Sequence, residues 1–318
     1  MSSNVIKRAI NVLMMFLIII VTDVEVYASD TSMYDYEVLE NGHIEIQGVS
    51  LKYYDQFGYI DADEDVIIIP GEIDGLIVER IGNGAFEEIE DWFDYELADL
   101  YIGDNIREID EYAFSSSGSI KEVYIPDSML RIGKLAFYGC NEIESIHMNE
   151  GLLSIGDFCF ELCRSITNVT IPSSVYEIGT NPFCDCSSLV EINVDMNNNT
   201  FYSNGKMIIR REDGYLVSGV TGGMDELTIP DTVVTIGGYS FKRCSFFTII
   251  IPKNVKSIEE YAFARSAAIT DVYIYSDDIV IDEKAFYGCT NMRIHAHSSS
   301  SAAVFAKEHG IIVIDLVE

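Results

Sequence analysis

A phenylalanine returns through this chain at a nearly fixed interval, and that recurrence constrains the fold more than any other feature. The anchors are Phe86, Phe114, Phe137, Phe160, Phe183, Phe241, Phe263 and Phe286, with successive gaps of 28, 23, 23, 23, 58, 22 and 23 residues. Five residues before each stands an isoleucine: Ile81, Ile109, Ile132, Ile155, Ile178, Ile236, Ile258 and Ile281. Twelve and fourteen residues before the anchor lies an apolar pair, such as Leu100 with Ile102, Val123 with Ile125, Ile146 with Met148, or Val272 with Ile274. An i, i+2 apolar pair is a short strand with one buried face. Pro126, Pro172, Pro230 and Pro252 follow that strand. Proline has no N–H to donate, so it ends the ladder and turns the chain. The Ile-Gly and Ala-Phe steps are expected to form the returning side, as a turn with a short helix. A period in the low twenties falls in the range of leucine-rich solenoids. One unit cannot bury its apolar face alone, whereas stacked units share a continuous core.

The order Ile-Pro, small residue, Val, Ile-Gly, Ala-Phe, Cys resembles the signature of the BspA-like leucine-rich repeat family, largely secreted or surface proteins of microbes. The resemblance covers roughly residues 34 to 318, and its motifs recur in register. It implies an α/β repeat solenoid, with a parallel β-sheet on one face, turns and short helices on the other, and a cap at each end. It also implies adhesion to host or neighbouring-cell proteins.

A solenoid grows by adding units to one core, so 318 residues need not mean two domains. The chain carries 20 basic against 52 acidic residues, a net charge of −32. This argues against nucleic acid, whose phosphates need Lys and Arg, and against anionic membrane surfaces. It favours solubility and cationic partners. Residues 1–28 read as a secretory signal peptide: Lys7 and Arg8, an apolar core from Ala9 to Val21, then Val26-Tyr-Ala28 as the cleavage site. That core is too short for a comfortable membrane span. The mature chain is therefore expected outside the cell or on its surface, with no membrane span after cleavage.

Residues 29–66 read as an N-terminal cap, in which Tyr36-Glu-Val and His43-Ile-Glu-Ile-Gln alternate like a hairpin. The solenoid is placed at 67–295 and a C-terminal cap at 296–318. The C-terminal cap has Ser298–Ser301 as helix N-cap candidates, a helix from Ala302 to His309 stopped by Gly310, and a last strand Ile311–Ile314. The longer first gap falls at an acidic, aromatic bulge, residues 87–96, holding Trp92. The 58-residue gap holds an inserted β-hairpin at about 199–222, with strands Phe201–Arg210 and Tyr215–Val220 around Glu212-Asp213-Gly214. Seven cysteines in an exported chain invite a disulfide reading. Yet Cys140, Cys163, Cys186, Cys244 and Cys289 each lie three residues after an anchor, in a slot that holds Ser117 and Ser266 elsewhere. A small, partly apolar slot suits a buried free thiol. Cys159 and Cys184 lie outside it, and their pairing stays open.

No catalytic constellation is present: no Gly-x-Ser-x-Gly, no phosphate loop, no His-Glu-x-x-His. Gly82-Asn-Gly84 follows the repeat. His295-x-His297 reads as a polar pair leading into the cap, since no third ligand is indicated. Asp61-x-Asp63-x-Asp65 opens like a calcium loop but lacks the later glycine and glutamate. No enzyme activity, cofactor or metal is expected. The informative positions are the outward residues of the repeat strands. One column runs Tyr101, Tyr124, His147, Thr170, Thr228, Ile250, Tyr273, and another runs Asp99, Glu122, Ser145, Asn168, Glu226, Thr248, Asp271. With strands stacked about 4.8 Å apart, Asp99, Tyr101, Glu122, Tyr124 and His147 form an aromatic-acidic patch on the exposed sheet face. Aromatic anchors among polar groups suit the binding of a protein or a sugar. The sequence thus points to a non-enzymatic recognition or adhesion module for a protein ligand. The alternative is a structural or carbohydrate-binding module of the cell envelope.

Overall fold

The computed structural model describes residues 33–49, 66–87 and 98–316. The signal-peptide segment 1–28, the Asp61–Asp65 run and Trp92 lie outside them, as do residues 50–65 of the cap segment. The chain winds as a solenoid, and each regular turn contributes to three ladders.

The first ladder is the expected parallel sheet. Val66–Ile69, Ala98–Ile102, Ile120–Tyr124 and Ser145–His147 form one run. Asn168–Ile171 pairs with Glu191–Val194. Glu226–Thr228, Thr248–Ile251, Asp271–Ile274, Arg293–Ala296 and Ile312–Asp315 form another parallel run. Register is held by the alternation: Leu100 pairs with Val123, and Val123 with Ile146, all facing inward. The second ladder is made by the Ile-Gly steps, which form two-residue strands. Ile109 pairs with Ile132, Ile132 with Ile155, and Ile155 with Ile178; Ile236, Ile258 and Ile281 do the same further on. These isoleucines are buried except Ile178 and Ile281, which are half-buried where their runs end. Glycine follows Ile81, Ile132, Ile155, Ile178 and Ile236, where successive turns nearly touch. A Cβ on Gly133 would lie 2.7 Å from the Asp110 carbonyl carbon and 2.9 Å from the Glu111 nitrogen.

The third ladder replaces the expected short helices. Residues two before and two after the anchors are left-handed: Tyr112 (φ 58°) and Ser116 (φ 58°), Leu135 (55°) and Gly139 (73°), Phe158 (53°) and Leu162 (66°). A helix needs φ near −63°, so these turns cannot propagate one. The left-handed region costs an L-residue about 1–2 kcal/mol. The return is a set of backbone bonds to the next turn: Tyr112 N donates to Lys134 O (3.3 Å), Phe114 N to Ala136 O (2.7 Å) and Ser116 N to Tyr138 O (2.6 Å). Among the described residues the only α-helix is Ser301–Glu308, N-capped by Ser300, whose Oγ accepts from Ala303 N. It starts one residue earlier than the sequence suggested, and the strand after it is Ile312–Asp315.

The anchor rings stack along the axis. Phe86, Phe114, Phe137, Phe160 and Phe183 lie 5.3, 5.1, 5.3 and 5.7 Å apart in turn, and Phe241, Phe263 and Phe286 continue at 5.4 and 5.3 Å. All seven cysteines are free thiols. Four of those in the repeat slot use the sulfur as a donor to the previous anchor's carbonyl: Cys140 to Phe114 O (3.0 Å), and Cys163 to Phe137 O, Cys186 to Phe160 O and Cys289 to Phe263 O (each 3.1 Å). Ser117 makes the same bond to Phe86 O at 2.8 Å, which explains the Ser–Cys exchange in this slot.

In the 58-residue gap the expected hairpin is a three-stranded antiparallel meander, Phe201–Ser203, Met207–Arg210 and Tyr215–Gly219. A turn at Asn204–Lys206 splits the first expected strand, its bend held by Ser203 Oγ accepting from Gly205 N. The meander is a partition. Ile208 and Val217 pack into the core cluster of the first half, while Met207, Ile209 and Leu216 pack into that of the second. Period-two alternation with both faces apolar lets one sheet serve two cores. Tyr215–Gly219 then seeds the second half by pairing parallel with Thr235–Ile236.

Candidate functional site

The candidate site is built on the three neighbouring strands Ala98–Ile102, Ile120–Tyr124 and Ser145–His147. Inward Leu100, Ile102, Val123 and Ile125 are buried, which fixes the alternate residues on the outer face. Parallel register places Tyr101 beside Tyr124 and Tyr124 beside His147. The three rings form a continuous stack. Tyr101 and Tyr124 have centroids 4.3 Å apart with planes 3° apart; Tyr124 and His147 are 4.4 Å and 11°.

Glu122 knits this stack together. Its Oε2 accepts from the Tyr124 hydroxyl at 2.6 Å and sits 3.3 Å from His147 Nε2. Burial, and then donation to Glu122, push the Tyr124 hydroxyl well above the ordinary tyrosine range, so it remains a donor. His147 is 47 % exposed at its side chain and Glu122 23 %, so the patch faces solvent while its geometry is held. Asp99 differs from expectation. It pairs in register with Glu122 but is only 8 % exposed, so it does not present a carboxylate to solvent. Ile68, 48 % exposed, lies in register beside Tyr101 and extends the outward column with an apolar side chain.

A second copy of the arrangement occurs in the other half. Tyr273 and His295 stack at 4.1 Å and 16°. His295 Nε2 lies 2.7 Å from Asp271 Oδ1, and Arg293 Nη2 donates to Asp271 Oδ2 at 2.8 Å. His295 and His297 are the polar pair that leads into the C-terminal cap. The structure gives each its own carboxylate, His297 Nδ1 lying 2.8 Å from Asp277 Oδ1. The signal was legible: Asp271-Val-Tyr273 repeats Glu122-Val-Tyr124, and a histidine follows the tyrosine by 22 and 23 residues respectively.

Among the described residues one group of metal-capable side chains converges, Glu161, Cys184 and Asp185. Its centre already holds a cation, since the Lys242 Nζ is 3.0 Å from Asp185 Oδ2 and 3.2 Å from Glu161 Oε1. Also among the described residues, no helix is long and apolar enough to cross a membrane.

A family model described as a BspA-type leucine-rich repeat region matches residues 79–205 and 220–305 in 6 copies. Two solved structures share the fold. The pneumococcal vaccine antigen PcpA has a TM-score of 0.55 at 13 % identity, over 90 % of this chain and 97 % of that one. A leucine-rich repeat protein from Bacteroides ovatus also has a TM-score of 0.55, at 21 % identity, over 89 % of this chain and 75 % of that one. No curated protein matches the chain.

Proposed function

The chain belongs to the BspA-type leucine-rich repeat family, and from that premise we propose that it is an exported, non-enzymatic recognition module that binds a protein ligand through the outer face of its parallel sheet. The observation that carries this reading is the Tyr101–Tyr124–His147 stack, buttressed by Glu122 and seated on a rigid ladder. Pre-ordered aromatic side chains lose little conformational freedom on binding, which is why they serve as interface anchors. Export rests on the leader-like residues 1–28, and attachment to the cell surface is part of the same proposal.

The stack favours protein over carbohydrate as the ligand. A sugar ring packs on an aromatic face, but here the faces are spent on each other at 4.3–4.4 Å. What remains outward is ring edges, hydroxyls and an imidazole, a pattern suited to hydrogen-bonding and cationic groups. With a net charge of −32, long-range attraction also selects a basic partner.

The test is surface plasmon resonance against immobilised extracellular-matrix and cell-surface proteins, with a glycan array in parallel. Tyr101→Ala combined with Tyr124→Ala should weaken protein binding by at least ~2 kcal/mol and leave the circular dichroism spectrum unchanged. Affinity should fall with added salt. A double variant that binds like wild type, with Trp92→Ala abolishing binding, would move the site to the acidic bulge and reject this face.

A further inference from the structure

The two half-solenoids meet where the ladders stop. No anchor ring among the described residues bridges Phe183 to Phe241, and side chains take over the connection. Asn181 Nδ2 donates to Tyr239 O at 2.7 Å, and Ser218 Oγ donates to Asn181 Oδ1 at 2.5 Å. Beside them lies the Lys242, Asp185 and Glu161 cluster. Lys242 sits one residue after the first anchor of the second half, and Asp185 two residues after the last anchor of the first.

The geometry points to an intramolecular amide cross-link between Lys242 Nζ and the Asp185 side-chain carbonyl carbon, formed with Glu161 as the proton carrier. Three observations support it. The amine and the carboxylate are in contact at 3.0 Å, and the Asp185 side chain is only 5 % exposed. Glu161 Oε1 is 3.2 Å from the same nitrogen, within reach for proton transfer, with both side chains 17 % exposed. Asp185 Oδ1 is buried and has no hydrogen-bond partner, an uncommon and costly state for a carboxylate oxygen. Converting the ion pair to an amide removes two buried charges and eliminates one carboxylate oxygen.

The step balances without an oxidant. Glu161 takes a proton from the Lys242 ammonium, and the freed amine lone pair attacks the Asp185 carboxyl carbon. A C–N bond forms. Arg243 Nη1, 3.9 Å from Asp185 Oδ2, places positive charge beside the tetrahedral oxygen. Glu161 delivers its proton to the departing oxygen, the C–O bond breaks, and the second nitrogen proton leaves with that oxygen as water. Ammonium plus carboxylate thus becomes amide plus water, and Glu161 ends as it began. Fixed contact lowers the barrier, since well-oriented intramolecular reactions reach effective molarities of about 10⁵–10⁸ M, and the loss of two buried charges with release of the water favours the amide. Tyr239, whose ring centroid is 5.7 Å from Lys242 Nζ, walls the site. The bond would tie the last turn of the first half to the first turn of the second, closing the break in the ladders.

The experiment is the intact mass of the purified, folded full chain, followed by tryptic mapping. The expected result is a mass lower by one water, loss of tryptic cleavage at Lys242, and a branched peptide joining the Asp185 and Lys242 segments. Lys242→Arg keeps the charge but cannot be acylated, and Glu161→Gln keeps the shape but cannot carry the proton. Both should show the full mass with an unchanged circular dichroism spectrum. A wild-type chain at full mass after prolonged incubation overturns the proposal. So does a lost water mapped elsewhere, or a Glu161→Gln variant that cross-links as fast as wild type.

Discussion

Phe137→Ala tests the axial ring stack most directly. Phe137 is fully buried and lies between Phe114 at 5.1 Å and Phe160 at 5.3 Å. A buried Phe→Ala change costs about 3–5 kcal/mol. The lost ring pairs account for part of it: two stacked neighbours at about 0.5–1.5 kcal/mol each give roughly 1–3 kcal/mol beyond area burial. Phe137→Leu keeps most of the apolar volume and should cost only that second share. With a urea slope near 3 kcal/mol/M, the alanine variant should lower the midpoint by about 1–1.7 M and the leucine variant by about 0.3–1 M. The effect should also be regional. Phe137 belongs to the core cluster of the first half, and the meander separates it from the second. Solenoid stability is close to a sum of local and nearest-neighbour terms, so hydrogen exchange should rise across residues 98–178 while residues 248–296 stay protected. The measurements are urea unfolding followed by far-UV circular dichroism, and exchange by mass spectrometry. An alanine midpoint within ~0.3 M of wild type would refute the stack as a source of stability, and exchange rising equally in both halves would refute the partition.

Cys163→Ser should be tolerated within about 1 kcal/mol, because serine already donates to the anchor carbonyl at Ser117, whereas Cys163→Val should lose that donor and overpack, costing about 1–3 kcal/mol; equal urea midpoints for the two would show that the slot's hydrogen bond and volume are immaterial. Asp271 gives a pH prediction. Burial pushes its carboxyl up, but the bonds from His295 and Arg293 outweigh that and hold it below the usual carboxylate range. A folded value below the unfolded one adds stability that is complete above the unfolded value, about 3.9, and is lost as pH falls through the folded value. The urea-midpoint gap between wild type and Asp271→Asn should therefore be widest near neutrality and close on acidification below ~pH 4, and a gap constant down to pH 2 would contradict the assignment.

Much of this molecule is written locally. The spacing of the phenylalanines and isoleucines, and the i, i+2 apolar pairs, set the period, the parallel sheet and the register. Those follow from which residues must leave water, and a side chain's hydrophobicity does not depend on its neighbours. Five cysteines in one slot likewise announced a buried position, which four of them occupy while Cys289 is half-buried, although not the carbonyls that four of the thiols serve. The outward direction of Tyr101, Tyr124 and His147 was legible for the same reason, since alternation fixes direction, although the two tyrosines are half-buried and only His147 is exposed.

What only the tertiary structure decided concerns partners on other turns. Left-handed turns displaced the expected short helices because the backbone bonds between turns, such as Phe114 N to Ala136 O, exist only once turns stack. Asp99 looked like Glu122 in sequence, yet one is buried and the other half-exposed. Nothing in the repeat marks Lys242, Asp185 and Glu161 as neighbours, because they meet only when the meander folds back and sets the second half against the first. Periodic burial is a property of each unit and is therefore readable from it, whereas contact across a break in the period depends on the path of the whole chain.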